Sequence, residues 1–161
     1  NIFLEISEDK MTNLEIEQLY LNITALQEGN FIPNIKIIDN NFKTISNRDF
    51  YSNKSIIYVF WSYEQNSHQM SLFNRIFRIL NINKNYNFLC ININSNKKRW
   101  IESLKKIKSM NNIHHFMVYD FKSMSKKMIL NNLNKVILTD NKGEITSISD
   151  IMKLENSIVL D

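Results

Sequence analysis

The stretch SIIYVFW, residues 55–61, decides the fold of this chain of 161 residues. Its run of six apolar residues, rich in β-branched and aromatic side chains, predicts a central strand that is covered on both faces. After a short polar link, the residues from His68 to Leu80 follow helical spacing and predict a helix. A second apolar run, from Asn87 to Ile93, predicts another buried strand. A strand, a helix and a strand in this order indicate an α/β fold.

Shorter elements on both sides complete the predicted layout. They are a helix over 12–28, two short strands over 35–37 and 42–45, a basic amphipathic helix over 98–109, a strand over 116–118, a helix over 123–130, strands over 136–139 and 144–148, and a last helix from residue 151. The last two strands form a hairpin, so the sheet is expected to be mixed, with helices on both faces. The sequence contains no internal repeat and no low-complexity linker.

Turn and cap signals set the expected boundaries. Thr12 followed by Glu15 predicts a capping box at the start of the first helix, and Gly29 predicts its stop. The hairpin turn is expected at 140–143, where Asp, Asn, Lys and Gly follow one another. Since glycine is scarce, the asparagine pairs at 40–41 and 131–132 are expected to take the left-handed conformations of two further turns.

Charge divides the chain into two parts. Residues 1–28 carry six acidic side chains and one basic side chain, a net charge of −5, whereas the remainder carries +9. We therefore expect an acidic helical segment over 1–29 and an α/β domain over 30–161. The apolar stripe of the first helix must be covered, and packing on its own domain is the expected solution. The alternative is that this helix connects the domain to an upstream region. The stripe consists of Leu14, Leu19, Ile23 and Leu26.

Several classes of function are disfavoured by composition. No apolar run approaches the roughly 20 residues that cross a bilayer. The basic groups around 97–99, 105–108 and 126–127 lack interleaved aromatic residues, so they read as solvated helix faces and no nucleic-acid partner is expected. The sequence begins at Asn1 without a leader-like segment, so we expect either that a targeting segment has been removed or that the sequence is part of a longer protein.

The few soft or imidazole side chains are poorly placed for metal or thiol chemistry. Cys90 is the single cysteine and lies inside an apolar run, which predicts a buried structural thiol. His114 and His115 are adjacent, so in a strand they would point to opposite faces. With His68 as the one remaining histidine, no set of three converging ligands is evident. We expect neither a metal site nor a cofactor.

Four short motifs, in this order along the chain, carry a resemblance to a known family. They are FIPNIKIIDNNFK at 31–43, Phe60-Trp61 at the end of the central strand, Trp100 at the start of a helix, and Asp140-Asn141-Lys142-Gly143-Glu144-Ile145 in the final hairpin. Together they resemble the bacterial thioredoxin-like thiol–disulfide reductases of the TlpA/ResA type. The resemblance covers about residues 31–150 and implies a thioredoxin-like three-layer fold with a central mixed sheet, preceded here by an additional helix.

The departures from that family fall on its redox site. Alignment from Phe60 puts Gln65 and His68 at the two cysteines of the family's Cys-x-x-Cys motif, with Asn66 and Ser67 between them. The first cysteine must form a thiolate and the second must resolve the mixed disulfide, and neither glutamine nor histidine can do so. The position of the family's cis-proline, counted back from the last hairpin, holds Asn134, whose peptide bond is expected to be trans.

The resemblance and these losses predict a redox-inactive domain that acts as a protein-interaction or scaffold component. The expected partner is another protein, in a complex of the bacterial cell envelope or associated with the membrane. A periplasmic or other extracytoplasmic location follows from the resemblance alone. The candidate partner-binding surface is the polar loop with its flanking aromatic residues, beside the loop around Asn134. Its residues are Trp61, Tyr63, Glu64, Asn66 and Ser67.

Other functions remain open from the sequence. One is an enzyme, either a thiol–disulfide oxidoreductase or a peroxidase, that relies on unusual residues or on a partner's cysteine. Cys90 lies mid-strand rather than at the strand-to-helix junction where a peroxidase cysteine belongs. Another is a domain that binds a peptide or small molecule inside a larger assembly.

Overall fold

The structure is a computed structural model that describes residues 10–51 and 53–160. Its helices are α1 (Lys10–Ala25), α2 (Asn66–Ile82), α3 (Lys97–Leu104), α4 (Phe121–Lys127) and α5 (Ile151–Leu160), with a 3-10 helix over Asn47–Phe50. Its strands are β1 (Lys36–Ile38), β2 (Thr44–Ser46), β3 (Ser55–Trp61), β4 (Tyr86–Asn92), β5 (Ile113–Val118), β6 (Lys135–Thr139) and β7 (Ile145–Asp150). The predicted order of elements is confirmed, with boundaries that differ by a few residues.

The described strands form one mixed sheet in the order β2-β1-β5-β4-β3-β6-β7. The three central strands β3, β4 and β5 run parallel, and the strands on either side of them pair antiparallel. The sequence SIIYVFW forms β3, which lies between β4 and β6 and is buried from Ile56 onward. Its uninterrupted apolar character follows from this central position, because both of its faces are covered.

The sheet separates two apolar cores. Alternate residues of β3 enter different cores, so Ile57 packs on one side and Tyr58 on the other. Helices α2, α3 and α5 cover the first side, whereas α4 and the chain segment after α1 cover the second. This arrangement of helices on both faces of a mixed sheet confirms the predicted three-layer α/β architecture.

Side chains cap the first turns of α3 and α4. Asn96 accepts a hydrogen bond from the backbone N–H of Arg99 at the start of α3. Asp120 does the same for Ser123 at the start of α4. In contrast, α2 begins after Gln65 without any side-chain cap and without an acidic residue in its first turn. The first N–H groups of α2 therefore have no partner supplied by a capping side chain.

The prediction for the first helix is wrong in its ends and its packing. The helix is present by Lys10, so Thr12 lies inside it and cannot be its cap. It ends at Ala25, and Gly29 lies beyond it with a φ of 85°. Leu26 is buried, but the other residues of the expected stripe are exposed: Leu14 by 61%, Leu19 by 52% and Ile23 by 45%. Most of α1 therefore does not pack on the rest of the described structure.

The asparagine pairs do not supply the left-handed residues of their turns. Among the described non-glycine residues, positive φ is found at Phe42, with 62°, and at Ile129, with 45°. The nearby side chains act as backbone acceptors instead. Asp39 Oδ1 accepts hydrogen bonds from the N–H groups of Asn41 and Lys43 at 2.9 and 2.8 Å, so the Asp39 side chain stabilises the turn. The residue with positive φ is Phe42, which lies between these two donors.

None of the helices in the described part of the chain is both long enough and apolar enough to cross a membrane.

Candidate functional site

A groove lies at the end of the sheet where the central parallel strands finish. The register of β3 with β6 pairs Val59 with Val136, which carries Asn134 to the level of the end of β3. The start of α2 lies beside it. The groove has a volume of about 400 Å³ and is lined by Gln65, His68, Ile93, Phe121 and the segment from Leu130 to Asn134. The fold thus brings together Gln65, His68 and Asn134, the three residues that the sequence resemblance aligned with a redox site.

His68 is the most unusual polar side chain of this groove. Both of its ring nitrogens are buried, and neither has a hydrogen-bond partner in the described structure. Burial lowers the pKa of His68, while the adjacent Asn134 side chain and Leu133 backbone oppose that shift by favouring the protonated ring. Asn134 and Leu133 are therefore its nearest polar neighbours, and a neutral imidazole has one donor and one acceptor to offer beside them.

The loop that faces His68 is held in place by hydrogen bonds to its backbone N–H and carbonyl groups. Asn132 Oδ1 accepts hydrogen bonds from the N–H groups of Asn134 and Lys135, at 2.9 and 3.1 Å. The carbonyl of Asn134 accepts from the N–H of Ile151 at 3.0 Å. No cis peptide bond occurs in the described ranges, which confirms the trans bond expected at Asn134. The loop therefore presents an asparagine side chain to the groove.

Trp61 does not belong to an exposed binding surface, and that prediction is wrong. Its side chain is fully buried and packs edge-to-face on Phe73, with ring centroids 5.6 Å apart. The reason is the alternation along β3, which points Trp61 to the same side as Ile57 and Val59.

Tyr63 and Glu64 face α3 rather than the groove. Arg99 of α3 forms an ion pair with Glu64 at 3.0 Å and lies 4.8 Å from the ring centroid of Tyr63. Glu64 also accepts a hydrogen bond of 3.4 Å from Asn94. These contacts tie the polar loop to α3 on the side away from Asn134.

Asn66 and Ser67 are exposed in the first turn of α2. They stand next to Gln65 and His68 in the chain, but they are not among the residues that line the groove. They can contact only a partner that extends beyond the rim of the groove.

The groove also has an apolar lining that the sequence did not reveal as functional. It comes from Ile93 after β4, Phe121 at the start of α4, and Leu130 and Leu133 of the facing loop. In the sequence these residues look like ordinary core positions. They converge because three separate strand-to-helix or helix-to-strand connections meet at this end of the sheet, which is a property of the topology.

Cys90 and the histidine pair lie away from the groove. Cys90 is completely buried in β4, and burial raises the pKa of its thiol far above its usual range, which confirms the predicted structural thiol. His114 contacts Phe50 and His115 contacts Phe73, each at 5.6 Å between ring centroids, on opposite sides of the sheet as predicted. Within the described ranges, no group of three or more histidine, cysteine or carboxylate side chains is arranged to hold a metal ion.

This chain matches known proteins in structure but not in sequence. No family model and no curated protein sequence matches this chain. The thioredoxin domain of a thiol–disulfide oxidoreductase from Bacteroides vulgatus has a TM-score of 0.68 at 20% identity, covering 84% of this chain and 97% of that chain. A thiol peroxidase from Chromobacterium violaceum has a TM-score of 0.66 at 14% identity, covering 83% and 86%.

A third structure extends further along the chain. A thioredoxin-like protein from Bacteroides caccae has a TM-score of 0.67 at 9% identity, covering 96% of this chain and 57% of that chain. Identities this low establish the architecture without assigning an activity. The chain therefore has the thioredoxin-like fold that is found in bacterial thiol–disulfide oxidoreductases.

Proposed function

We propose that this chain is a redox-inactive thioredoxin-like domain that binds a protein partner through the groove beside His68. The observation that carries the proposal is the groove itself, in which the unpaired His68 ring lies against Asn134 and an apolar lining. The place of the redox residues is occupied by side chains suited to recognition.

Loss of thiol chemistry is supported by the position of every group that could replace it. Disulfide exchange requires a thiolate at an accessible, electropositive place, such as the start of a helix. Gln65 and His68 occupy that place here, and neither forms a disulfide. The single cysteine of the sequence, Cys90, is enclosed in the sheet with a raised pKa.

The chemistry of the groove indicates what kind of segment it would take. Its polar groups are amides and an imidazole, and no residue that lines it carries a formal carboxylate or ammonium charge. Its volume lies within the range of about 300 to 1,000 Å³ that is usual for ligand pockets. An uncharged, extended segment with one apolar side chain and free backbone groups would match both the leucines and the unused nitrogens of His68.

An extracytoplasmic location in a bacterial envelope complex is part of the same proposal. It is supported by the resemblance to bacterial thiol–disulfide oxidoreductases, a group that typically works outside the cytoplasm, and by the Bacteroides proteins among the structural neighbours. A domain of this fold without its cysteines would serve there as a recognition component.

The proposal is tested by blocking the groove and identifying what is lost. Asn134→Arg puts a long cation beside His68, and Asn81→Arg makes the same change at an exposed position of α2 far from the groove. Each tagged protein is purified from the organism that encodes it, and its companions are quantified by mass spectrometry. Companions that are lost with Asn134→Arg and retained with Asn81→Arg support the proposal. An identical set of companions for both variants contradicts it.

The enzymatic alternative is tested separately with the purified chain. Insulin reduction and peroxide consumption are measured for the wild type and for Cys90→Ala. We expect no turnover above background for either protein. Turnover that disappears in Cys90→Ala would establish thiol chemistry at the buried cysteine and refute redox inactivity.

A further inference from the structure

Helix α1 exposes apolar side chains around its circumference. Five of its large apolar residues are between 45% and 61% exposed, and they are Leu14, Leu19, Tyr20, Leu21 and Ile23. At about 100° per residue these positions are spread around the axis rather than gathered on one stripe. Helices with such a distribution are normally covered on more than one side. Within the described structure, α4 is the one helix that makes appreciable contact with α1.

A mostly apolar groove of about 560 Å³ runs along α1 where it meets α4. Leu14 and Leu19 provide its apolar wall, and Lys126 of α4 stands on the other side. Glu15, Gln18 and Asn22 complete the lining. This groove lies on the face of the sheet opposite to α2 and α5, so it is separate from both of those helices.

The two helices that form the groove carry opposite charges. Helix α1 carries Glu15 and Glu17 after Lys10 at its first residue, whereas α4 carries Lys122, Lys126 and Lys127. The two glutamates, Lys122 and Lys126 take part in no ion pair with another described residue. These charges of α1 and α4 are thus complementary, and they are unpaired within the described part of one copy.

The exposed area of α1 is a substantial part of what an interface requires. Its five apolar side chains leave roughly 500 Å² of largely apolar surface in water. Leu14 and Leu19, which form the apolar wall of the groove, belong to this area. A standard interface buries about 800 Å² of each partner, so α1 would supply more than half of it and the polar lining of the groove and α4 would supply the rest.

We propose that two copies of this chain associate through α1 and α4, with α1 of each copy seated in the groove of the other. A two-fold arrangement repeats every contact, so Glu15 of each copy meets Lys126 of the other copy, and the apolar side chains of the two α1 helices pack together. The result is a bundle of four helices on the face of the sheet opposite to α2. The groove beside His68 is left outside this interface.

The association state of the whole 161-residue chain tests the proposal directly. Sedimentation velocity over a range of concentrations is expected to show a monomer–dimer equilibrium. Leu19→Glu should raise the dissociation constant by about tenfold or more, because it buries a carboxylate in the apolar part of the interface. Met152→Glu is the matched control, since Met152 is 55% exposed on α5 at the opposite face, and it should leave the equilibrium unchanged.

A charge exchange distinguishes contacts between copies from contacts within one copy. Glu15→Lys alone and Lys126→Glu alone should each weaken association, because each places like charges opposite one another at both symmetry-related positions. An equimolar mixture of the two variants should regain dimers, because both positions in the mixed dimer then join opposite charges. A contact within one copy would not be restored by mixing.

Two outcomes would overturn the proposal. One is a chain that stays monomeric at every concentration, which would mean that α1 is covered by another segment or partner. The other is a dimer that Leu19→Glu and Met152→Glu affect equally. Asn134→Arg should leave dimerisation intact, so failure of this proposal can be told apart from failure of the proposed binding at the His68 groove.

Discussion

At the scale of the residue, Gly143 shows how one position can be fixed by two independent constraints. It lies in the β6–β7 turn, three residues after Asp140. The Oδ1 atom of Asp140 accepts hydrogen bonds from the N–H groups of Lys142 and Glu144 at 2.8 and 2.9 Å. Gly143 has a φ of 90°, and a Cβ on it would lie 2.1 Å from Oη of Tyr51. Both the backbone conformation and the contact with Tyr51 therefore require glycine.

Gly143→Ala and Gly29→Ala separate these two constraints. Gly29 also has a positive φ, of 85°, but a Cβ there would meet nothing within 4 Å. We expect Gly29→Ala to lower the free energy of unfolding by about 1 kcal/mol through backbone strain, and Gly143→Ala to lower it by roughly 2 to 4 kcal/mol because Tyr51 must also move. Urea unfolding at neutral pH measures both values. Equal losses would show that Tyr51 yields without cost.

Single residues also show where inference from sequence succeeds. The turn at Asp140 was predictable because an aspartate and a glycine at this spacing leave few other conformations. The left-handed residues Phe42 and Ile129 were not predictable from their own propensity. Phe42 lies in the turn that the Asp39 side chain closes, whereas Ile129 follows α4, where the N–H of Leu130 donates to the carbonyl of Ser125 at 2.9 Å. The burial of Trp61 could have been inferred, since strict alternation along β3 places it with Ile57.

At the scale of the element, one carboxylate joins two helices on the same face of the sheet. Glu155 of α5 is only 6% exposed and accepts hydrogen bonds from the guanidinium groups of Arg75 and Arg78, both on α2. The hydrogen bond from Arg78, followed by that from Arg75, holds the pKa of Glu155 below its usual value against the effect of burial. The two arginines lie three residues apart on one face of α2, so they converge on one acceptor.

Removing this carboxylate should loosen the contact between α2 and α5. Glu155→Ala leaves Arg75, which is 23% exposed, without its partner, so we expect a clear fall in the urea midpoint. Lys153→Ala removes an exposed ion pair with Asp150 at 3.8 Å and should change the stability by no more than about 0.5 kcal/mol. Similar midpoints for the two variants would contradict a structural role for Glu155.

The elements themselves were predicted unequally well. The unit β3–α2–β4 follows from its sequence, because long apolar strands around a periodic helix admit one arrangement. The ends of α1 were misjudged, since the apparent cap at Thr12 and the stop at Gly29 are compatible with a helix that begins earlier and ends sooner. Propensity sets such ends only weakly when tertiary packing does not hold them.

At the scale of the whole molecule, the two cores include titratable groups that resist protonation. His115 points from β5 into the core beneath α2, where burial, with a smaller effect of His114, lowers its pKa from 6.5 to about 4. Its Nδ1 is buried without a hydrogen-bond partner in the described chain. The neutral ring is therefore the form that is compatible with the fold.

Acid should destabilise the wild type more than His115→Leu. Between about pH 6.5 and pH 4 the unfolded chain binds a proton at His115 that the folded chain does not, so the free energy of unfolding falls as the pH falls. From pH 7.5 to pH 5 this one group should contribute a loss on the order of 1 to 2 kcal/mol, which the variant lacks. Urea unfolding of both proteins at the two pH values measures the difference. Parallel losses would show that His115 is protonated without disturbing the fold.

The candidate site is a property of the whole molecule, which explains how far sequence could lead to it. Alignment with the thioredoxin-like family placed Gln65, His68 and Asn134 at related positions, and the structure brings them together. The apolar residues between them come from connections far apart in the chain, such as Phe121 and Leu130, and no local pattern marks them. The groove appears only when the sheet order is known.

The burial of Cys90 has a practical consequence for spectroscopy. Maleimide reagents require an accessible thiolate, and in the native state the only thiol of this chain is enclosed by the sheet. A cysteine introduced at Met152, an exposed position on the face opposite to α1 and α4, would thus be the single site that accepts a fluorophore or a spin label, with Cys90 left in place. Such a label would report distances between copies from an otherwise unaltered chain.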